Sequence, residues 1–272
     1  TRLHQGEAAE MTVSLLLGLL QGVTEFLPVS SSGHLALLQM FLGYGEAPLA
    51  FDVVLHVATM LATIVYFRRD ILVLSREFCS GFAKSSGRAT PGWRIGWAVV
   101  AGTVVTAIVG LPLKPLVERA LSSPTLVGAG LCVTAALLFL SGASRDGTSR
   151  MTLRCGLIVG LAQGIAVLPG ISRSGATLAA GLRSGLDRDE SFRFSFLLSL
   201  PAIAGAVVLE FRHGLSSAGL PEGWYWGALV AFLSGYAALG LLRRFVTGGR
   251  LRVFSIYCAC LGALALGASL AG

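Results

Sequence analysis

The sequence predicts an all-α integral membrane protein with six transmembrane helices and two re-entrant helical hairpins in an inverted-topology repeat. Three observations carry that reading. Of the 272 residues, 54% are hydrophobic and only 13% charged, with a mean hydropathy of +0.75, which lies outside the soluble globular range. Several apolar segments reach the roughly 17–25 residues needed to span a bilayer. Finally, a polar pattern recurs inside apolar sequence. Gly18, Leu19, Gln21, Gly22, Ser30, Ser32 and Gly33 fall on identical residues at 160, 161, 163, 164, 172, 174 and 175, a constant offset of 142. The chain reads as two related halves, each giving one polar loop to a shared site.

In chain order, residues 1–10 read as an N-terminal tail and 11–272 as a single membrane domain of two inverted repeats, about 11–142 and 152–272. The apolar run from Met11 lacks the basic flank and cleavage site of a secretory signal. It breaks at Pro28 and the Ser30–Gly33 turn, then resumes briefly, so 11–46 reads as a hairpin that returns to its own side. Uninterrupted apolar segments at 49–67, 93–111 and 124–142 read as spans. The same broken pattern at 152–187 reads as the second hairpin, followed by spans at 190–211, 224–242 and 252–271. Irregular backbone at membrane depth is tolerated only when packed in protein or lining a polar cavity. The 35 glycines suit close helix packing in lipid. Cys79, Cys132, Cys155, Cys258 and Cys260 form no metal or disulfide spacing and read as buried or lipid-facing thiols.

Loop charges orient these elements. The net charge of +7 is spread over loops, which fits a cytoplasmic bias, so no nucleic-acid partner is expected. The 68–94, 143–154, 183–193 and 243–252 loops are rich in arginine, whereas 112–123 and 212–223 are poor. That alternation obeys the positive-inside rule only if 155–182 starts and ends in the cytoplasm. The first hairpin then dips in from the outer face and the second from the cytoplasm. Three spans per half invert the second repeat, an architecture that places a site at the repeat interface.

The chemistry sits in the two hairpins. Gln21 and Glu25 share a helix face at i, i+4. A carboxylate near the bilayer centre costs roughly 2.5–3.5 kcal/mol, so its presence points to function. Gly33 permits a turn that brings His34 back toward Glu25. With Ser30, Ser31 and Ser32 between them, these are the parts of an activated nucleophile; the plainer alternative is serines bonded to backbone and His34 capping a helix. In the second hairpin, Pro169–Gly170–Ile171–Ser172–Arg173–Ser174–Gly175–Ala176–Thr177 joins a guanidinium to hydroxyls and to the amides of a helix starting near Gly175. Helix N-termini and arginine forks bind phosphate. The offset places Ser31 on Arg173, so a phosphoryl group between the tips would meet a nucleophile on one side and charge stabilisation on the other. Asp52 and His56 form another i, i+4 pair that supports the site, holds a metal, or serves helix packing. Glu210 and Arg212 read as interfacial.

The segments QGVTEFLPVSSSGH and PGISRSGAT resemble the two motifs of the bacterial undecaprenyl pyrophosphate phosphatases, the family associated with bacitracin resistance. The similarity extends through 49–70 and 190–205. It implies a membrane hydrolase that removes one phosphate from a polyprenyl diphosphate, recycling the lipid carrier of cell-wall peptidoglycan synthesis. It also implies the bacterial inner membrane, a site open to its outer (periplasmic) side, and competition with bacitracin for the substrate. Functional residues carried over by position are Gln21, Glu25, Ser30, Ser31, His34 and Arg173. The expected catalytic set is Ser31, His34, Glu25 and Arg173, with Gln21, Ser30, Ser32, Ser172, Ser174, Gly175 and Thr177 binding substrate. Ser31 is preferred as nucleophile because the repeat pairs it with Arg173; His34 is the runner-up. The resemblance implies a divalent cation, Mg²⁺ or Ca²⁺, on Glu25, although Gln21 is the neutral option of its motif and weakens a two-carboxylate metal site. The membrane lipid is a further partner, and a homodimer is left open. Two other readings compete: the unrelated lipid phosphatases with a Ser-Gly-His element, disfavoured by missing downstream residues, and a lipid flippase or secondary transporter.

Overall fold

The computed structural model describes residues 2–42, 49–141, 147, 150–212, 220–221 and 223–271. The far end of the expected first hairpin (43–46), Arg145 of the 143–154 loop and the side chain of Arg212 lie outside the described residues. Among the described residues all regular structure is helical: α1 (Arg2–Phe26), α2 (Ser31–Leu42), α3 (Leu49–Tyr66), α4 (Arg68–Ala83), α5 (Pro91–Gly110), α6 (Lys114–Leu121), α7 (Pro124–Ser141), α8 (Leu153–Ile165), α9 (Arg173–Arg183), α10 (Arg188–Arg212), α11 (Trp224–Thr247) and α12 (Arg252–Ala271). Residues 2–10, set apart as a tail, form the first turns of α1.

Helices α5, α7, α10, α11 and α12 are long and apolar enough to cross a membrane. The pair α3 and α4 completes six spans, with a 74° bend between the two helices. The break at Phe67 follows from composition. Apolar α3 gives way to the charged start of α4, whose Ile71 and Leu74 still pack on the core. The long basic loop expected at 68–94 is therefore largely helical. It is tied back to α5 by Glu77, whose Oε2 accepts from Gly92 N at 2.6 Å, and by the edge-on rings of Phe82 and Trp93 at 4.9 Å.

The other short helices cannot span. At 12, 13 and 11 residues, α2, α8 and α9 are about 20 Å long or less, against a hydrocarbon core of about 30 Å. They belong to two hairpins, α1–α2 and α8–α9. Helix α1 packs along α11 in step: Gly18 on Gly227, Gly22 on Ala231, Phe26 on Gly235. Helix α8 packs along α5 in the same way: Gly156 on Ala98, Gly160 on Gly102, Gly164 on Thr106 and Val109. Each hairpin thus runs parallel to the second span of the opposite half. The match extends to detail: a Cβ added at Gly18 or at Gly160 would lie 2.8 Å from a backbone carbonyl carbon, of Gly227 or Gly102 respectively.

The hairpins enter from opposite faces. Phe51, near the start of α3, packs on Gly227 near the start of α11, while Tyr66 at the end of α3 meets Phe192 near the start of α10 at 6.4 Å. Helix α10 in turn runs with α5, since Ala98, Phe194 and Leu198 share one cluster and Leu198 abuts Gly102. So α1 enters where α3 and α11 begin, and α8 enters where α5 and α10 begin, at the other end of the bundle. The closing pair α7 and α12 runs antiparallel, joined by Ser255 Oγ donating to Ala135 O at 2.7 Å.

Close backbone approach makes these glycines sensitive to any side chain. Gly18→Ala and Gly160→Ala should each destabilise the fold by about 1–3 kcal/mol through forced helix separation. Gly205→Ala and Gly240→Ala, where an added methyl meets nothing within 4 Å, should leave the thermal unfolding temperature in detergent unchanged or raise it.

Candidate active site

Each hairpin turns through a polar loop, and the two loops meet. Gly170 N donates to Ser30 Oγ at 3.1 Å, in a buried contact. Gly33 belongs to the first turn of α2 rather than to a reversing turn, and it serves this approach: a Cβ there would lie 3.1 Å from Gly170 N and Cα. The loops are built alike. Ser30 Oγ accepts from Gly33 N at 3.3 Å and pairs with Ser32 Oγ at 3.4 Å. Ser172 Oγ accepts from Gly175 N at 3.1 Å and pairs with Ser174 Oγ at 3.2 Å. Both serines cap a helix start. Ser30 does so at φ 70°, a left-handed conformation that costs a non-glycine residue about 1–2 kcal/mol. The second loop is pinned to α7 by Thr134, whose Oγ1 donates to Gly170 O at 2.8 Å and accepts from Ser172 N at 2.9 Å.

Glu25, in the last turn of α1, joins the two loops. Its Oε2 accepts from Ser31 Oγ at 2.8 Å and from Gln21 Nε2 at 3.3 Å. Its Oε1 is ion-paired with Arg173 Nη2. The carboxylate is buried, and the Arg173 side chain is only 16% exposed. Ser31 is the first residue of α2 and Arg173 the first of α9, so two helix N-termini converge on one carboxylate. That puts two sets of first-turn amides and a guanidinium in one place, which suits an anionic ligand. Arg173 Nη1 is buried and makes no hydrogen bond among the described residues, leaving a donor for such a ligand. The Phe196 ring lies 5.8 Å beneath the guanidinium and supports its plane.

The structure does not bring His34 to Glu25. Helix α2 starts at Ser31, so Ser31 meets the carboxylate while His34 lies nearly one turn further on. His34 Nδ1 lies 2.8 Å from Ser30 O. A carbonyl only accepts, so Nδ1 carries the proton. In the neutral ring Nε2 then accepts from Tyr257 Oη at 2.7 Å, and the two rings stack with centroids 5.6 Å apart. Tyr257 is a site residue that the sequence reading missed; its only signal was a polar aromatic inside the apolar 252–271 segment. Thr134 had no signal at all.

Other expected residues divide between the site and its frame. Ser32 is half-buried beside Ser31. Ser172, Ser174, Gly175 and Thr177 are buried and shape the loop. Thr177 Oγ1 is spent on Arg173 O at 2.8 Å and on Ser195 Oγ at 2.5 Å. On α3, His56 faces the site, with Nε2 3.9 Å from Glu25 Oε2 and Nδ1 on Asp52 O at 2.8 Å. Among the described residues no group of three or more His, Cys, Asp or Glu side chains is arranged to hold a metal.

Comparison with known proteins agrees with this architecture along its length. The family described as "Bacitracin resistance protein BacA" matches residues 14–264. A Korarchaeum cryptofilum protein named undecaprenyl-diphosphatase is 43% identical over 93% of this chain and 97% of its own length. Proteins of the same name from Desulfosudis oleivorans and Geobacter sulfurreducens are 46% and 44% identical, over 93% and 85% of this chain and 96% and 88% of theirs. With a match that covers both polar loops and runs from α1 into α12, the chain belongs to the bacitracin resistance protein BacA family.

Proposed function

We propose that this protein is an undecaprenyl-diphosphatase, hydrolysing a polyprenyl diphosphate to the monophosphate and inorganic phosphate. The observation that carries the reading is the Glu25 carboxylate shared by Ser31 and Arg173 across the two hairpins. Two helix N-termini and a guanidinium suit a diphosphate, and the apolar helix faces around them suit its isoprenoid tail. The arginine alternation favours a plasma-membrane orientation in which α1–α2 opens outward, so that the lipid carrier of peptidoglycan synthesis is recycled from the outer face. A transporter or flippase reading rests on the repeat architecture alone, and phosphate release by the purified protein separates the two.

In the reaction, the terminal phosphoryl group lies between Ser31 and Arg173. Ser31 Oγ attacks phosphorus, its proton passes to Glu25, and the bond to the bridging oxygen breaks, releasing polyprenyl phosphate. Arg173 holds the charge that develops on the phosphoryl oxygens. Water then cleaves the phosphoserine, Glu25 returning its proton to Ser31 Oγ while both water hydrogens leave on the inorganic phosphate. Glu25 acts on Ser31 directly here, not through His34. His34 is three residues along the same helix; its neutral Nε2 accepts from Tyr257 Oη, and only as an imidazolium would it protonate the leaving oxygen. A divalent cation fits the same place. Gln21 Oε1 is buried and has no hydrogen-bond partner among the described residues, and with Glu25 and the substrate phosphates it would provide oxygen ligands for Mg²⁺ or Ca²⁺. Such an ion would neutralise charge on the diphosphate.

Phosphate release from undecaprenyl diphosphate by protein in detergent tests the scheme. Ser31→Ala should fall below about one thousandth of wild-type turnover with binding largely kept, and Glu25→Gln should lose about 10²–10⁴-fold as the base is removed. Substantial activity in Ser31→Ala with none in His34→Ala would replace the serine with a phosphohistidine. Arg173→Lys keeps the charge but not the planar fork. It should insert normally and lose at least about tenfold in kcat/KM, one decade for one charged contact.

A further inference from the structure

At the end of the bundle remote from the entry of α1, where α3 and α11 finish and α10 begins, lies a cavity of about 550 Å³. Arg68, Arg69, Arg193 and Arg243 line it, with only Asp70 and Asp189 of opposite charge. The two carboxylates are already committed: Asp70 pairs with Arg193, and Asp189 Oδ1 accepts from Arg243 Nε at 3.0 Å and lies 2.9 Å from its Nη2. Each pair holds an arginine in place while using only part of its donor fork. Among the described residues Arg68 and Arg69 make no ion pair; the bend at Phe67 sets both at the rim. The cavity therefore keeps an excess of two positive charges. Its floor is aromatic and dry, with Phe67 2% and Phe192 0% exposed, and the rings of Tyr66 and Tyr236 meet beside it at 5.5 Å.

A positive-inside anchor needs charge in water at a span end; it does not need four arginines lining one hollow, even with Arg68 Nη1 donating to Val65 O at 3.0 Å. Fixed arginine forks over an aromatic floor, with phenols at the membrane boundary, match a phosphate whose attached chain or counter-surface is apolar. The cavity is separate from the catalytic loops: Phe192 packs on Phe196 at 5.0 Å, and Phe196 carries Arg173 on its far side. We propose that this cavity is a second anion site, binding the phosphate of an anionic glycerophospholipid headgroup from the adjoining leaflet or inorganic phosphate from the solvent.

Native mass spectrometry of the full-length protein, offered equal phosphatidylglycerol and phosphatidylcholine, tests the lipid source. Wild type should retain phosphatidylglycerol roughly tenfold over phosphatidylcholine, one decade of differential affinity. Arg68→Gln/Arg69→Gln should lose that preference, and Arg244→Gln/Arg250→Gln, exposed arginines outside the cavity, should keep it. Millimolar inorganic phosphate tests the other source. It should raise the unfolding temperature of the Arg244/Arg250 variant about 2–4 °C more than that of the Arg68/Arg69 variant. Either difference supports the site and names its source; equal behaviour of the two variants in both arms overturns it. Retained hydrolysis in both double variants checks folding, and Arg69→Gln alone is read the same way should the double variant fail to fold.

Discussion

Glu25 sits where two helices end and two begin inside a bundle that offers little water, and its ion pair with Arg173 ties one hairpin to the other. Backbone that leaves helical geometry inside a membrane must find partners in protein. Here Ser30 Oγ, Ser172 Oγ and Thr134 Oγ1 accept from loop and first-turn amides. Removing one partner of a buried pair typically costs about 3–5 kcal/mol, because the remaining charge is stranded. The same stranding gives Arg173 a reason to turn toward a phosphate when Glu25 takes a proton.

The two halves share a scaffold and differ in chemistry. Gly18 and Gly160, Gly22 and Gly164, Ser30 and Ser172 hold matching positions and do matching work. The divergent positions are the ones the proposed reaction uses: Glu25 answers to Val167, Ser31 to Arg173, His34 to Ala176. Even the retained glutamine changes employment. Gln163 Nε2 donates to Thr106 Oγ1 at 3.2 Å and holds α8 to α5, whereas Gln21 Nε2 turns to Glu25. In the proposed reaction one loop holds the base and nucleophile and the other the guanidinium, and the two meet only through Glu25.

Much of this was legible in the residues, because bilayer physics leaves strong marks. Six apolar stretches, broken hairpins around Pro28 and Gly170, and a gapless offset of 142 follow from composition and self-comparison alone. That Ser31 and Arg173 would converge was also legible, since repeats related by symmetry bring equivalent positions together; in the structure they meet on the two oxygens of Glu25. What the residues could not reveal were partners remote in sequence. Tyr257 lies 223 positions from His34, and no local pattern encodes that contact. The expected reach of His34 to Glu25 failed for a local reason: Ser30 caps α2, the helix starts one residue later, and the carboxylate receives Ser31 instead.

Which segments must be helical and lie in lipid, where they break, and which polar side chains have no place except a site can all be read from the order of residues alone. Hydrophobic transfer and backbone satisfaction act on the local chain, so their consequences can be read along it. Which groups touch came from the packing of the helices: Glu25 serves Ser31 and Arg173, Thr177 is spent on Ser195, and four arginines from three helices line one hollow. Those contacts depend on helix rotation and approach distance, set by glycine contacts between elements far apart in the chain, and a change of one side chain's width there would rearrange them.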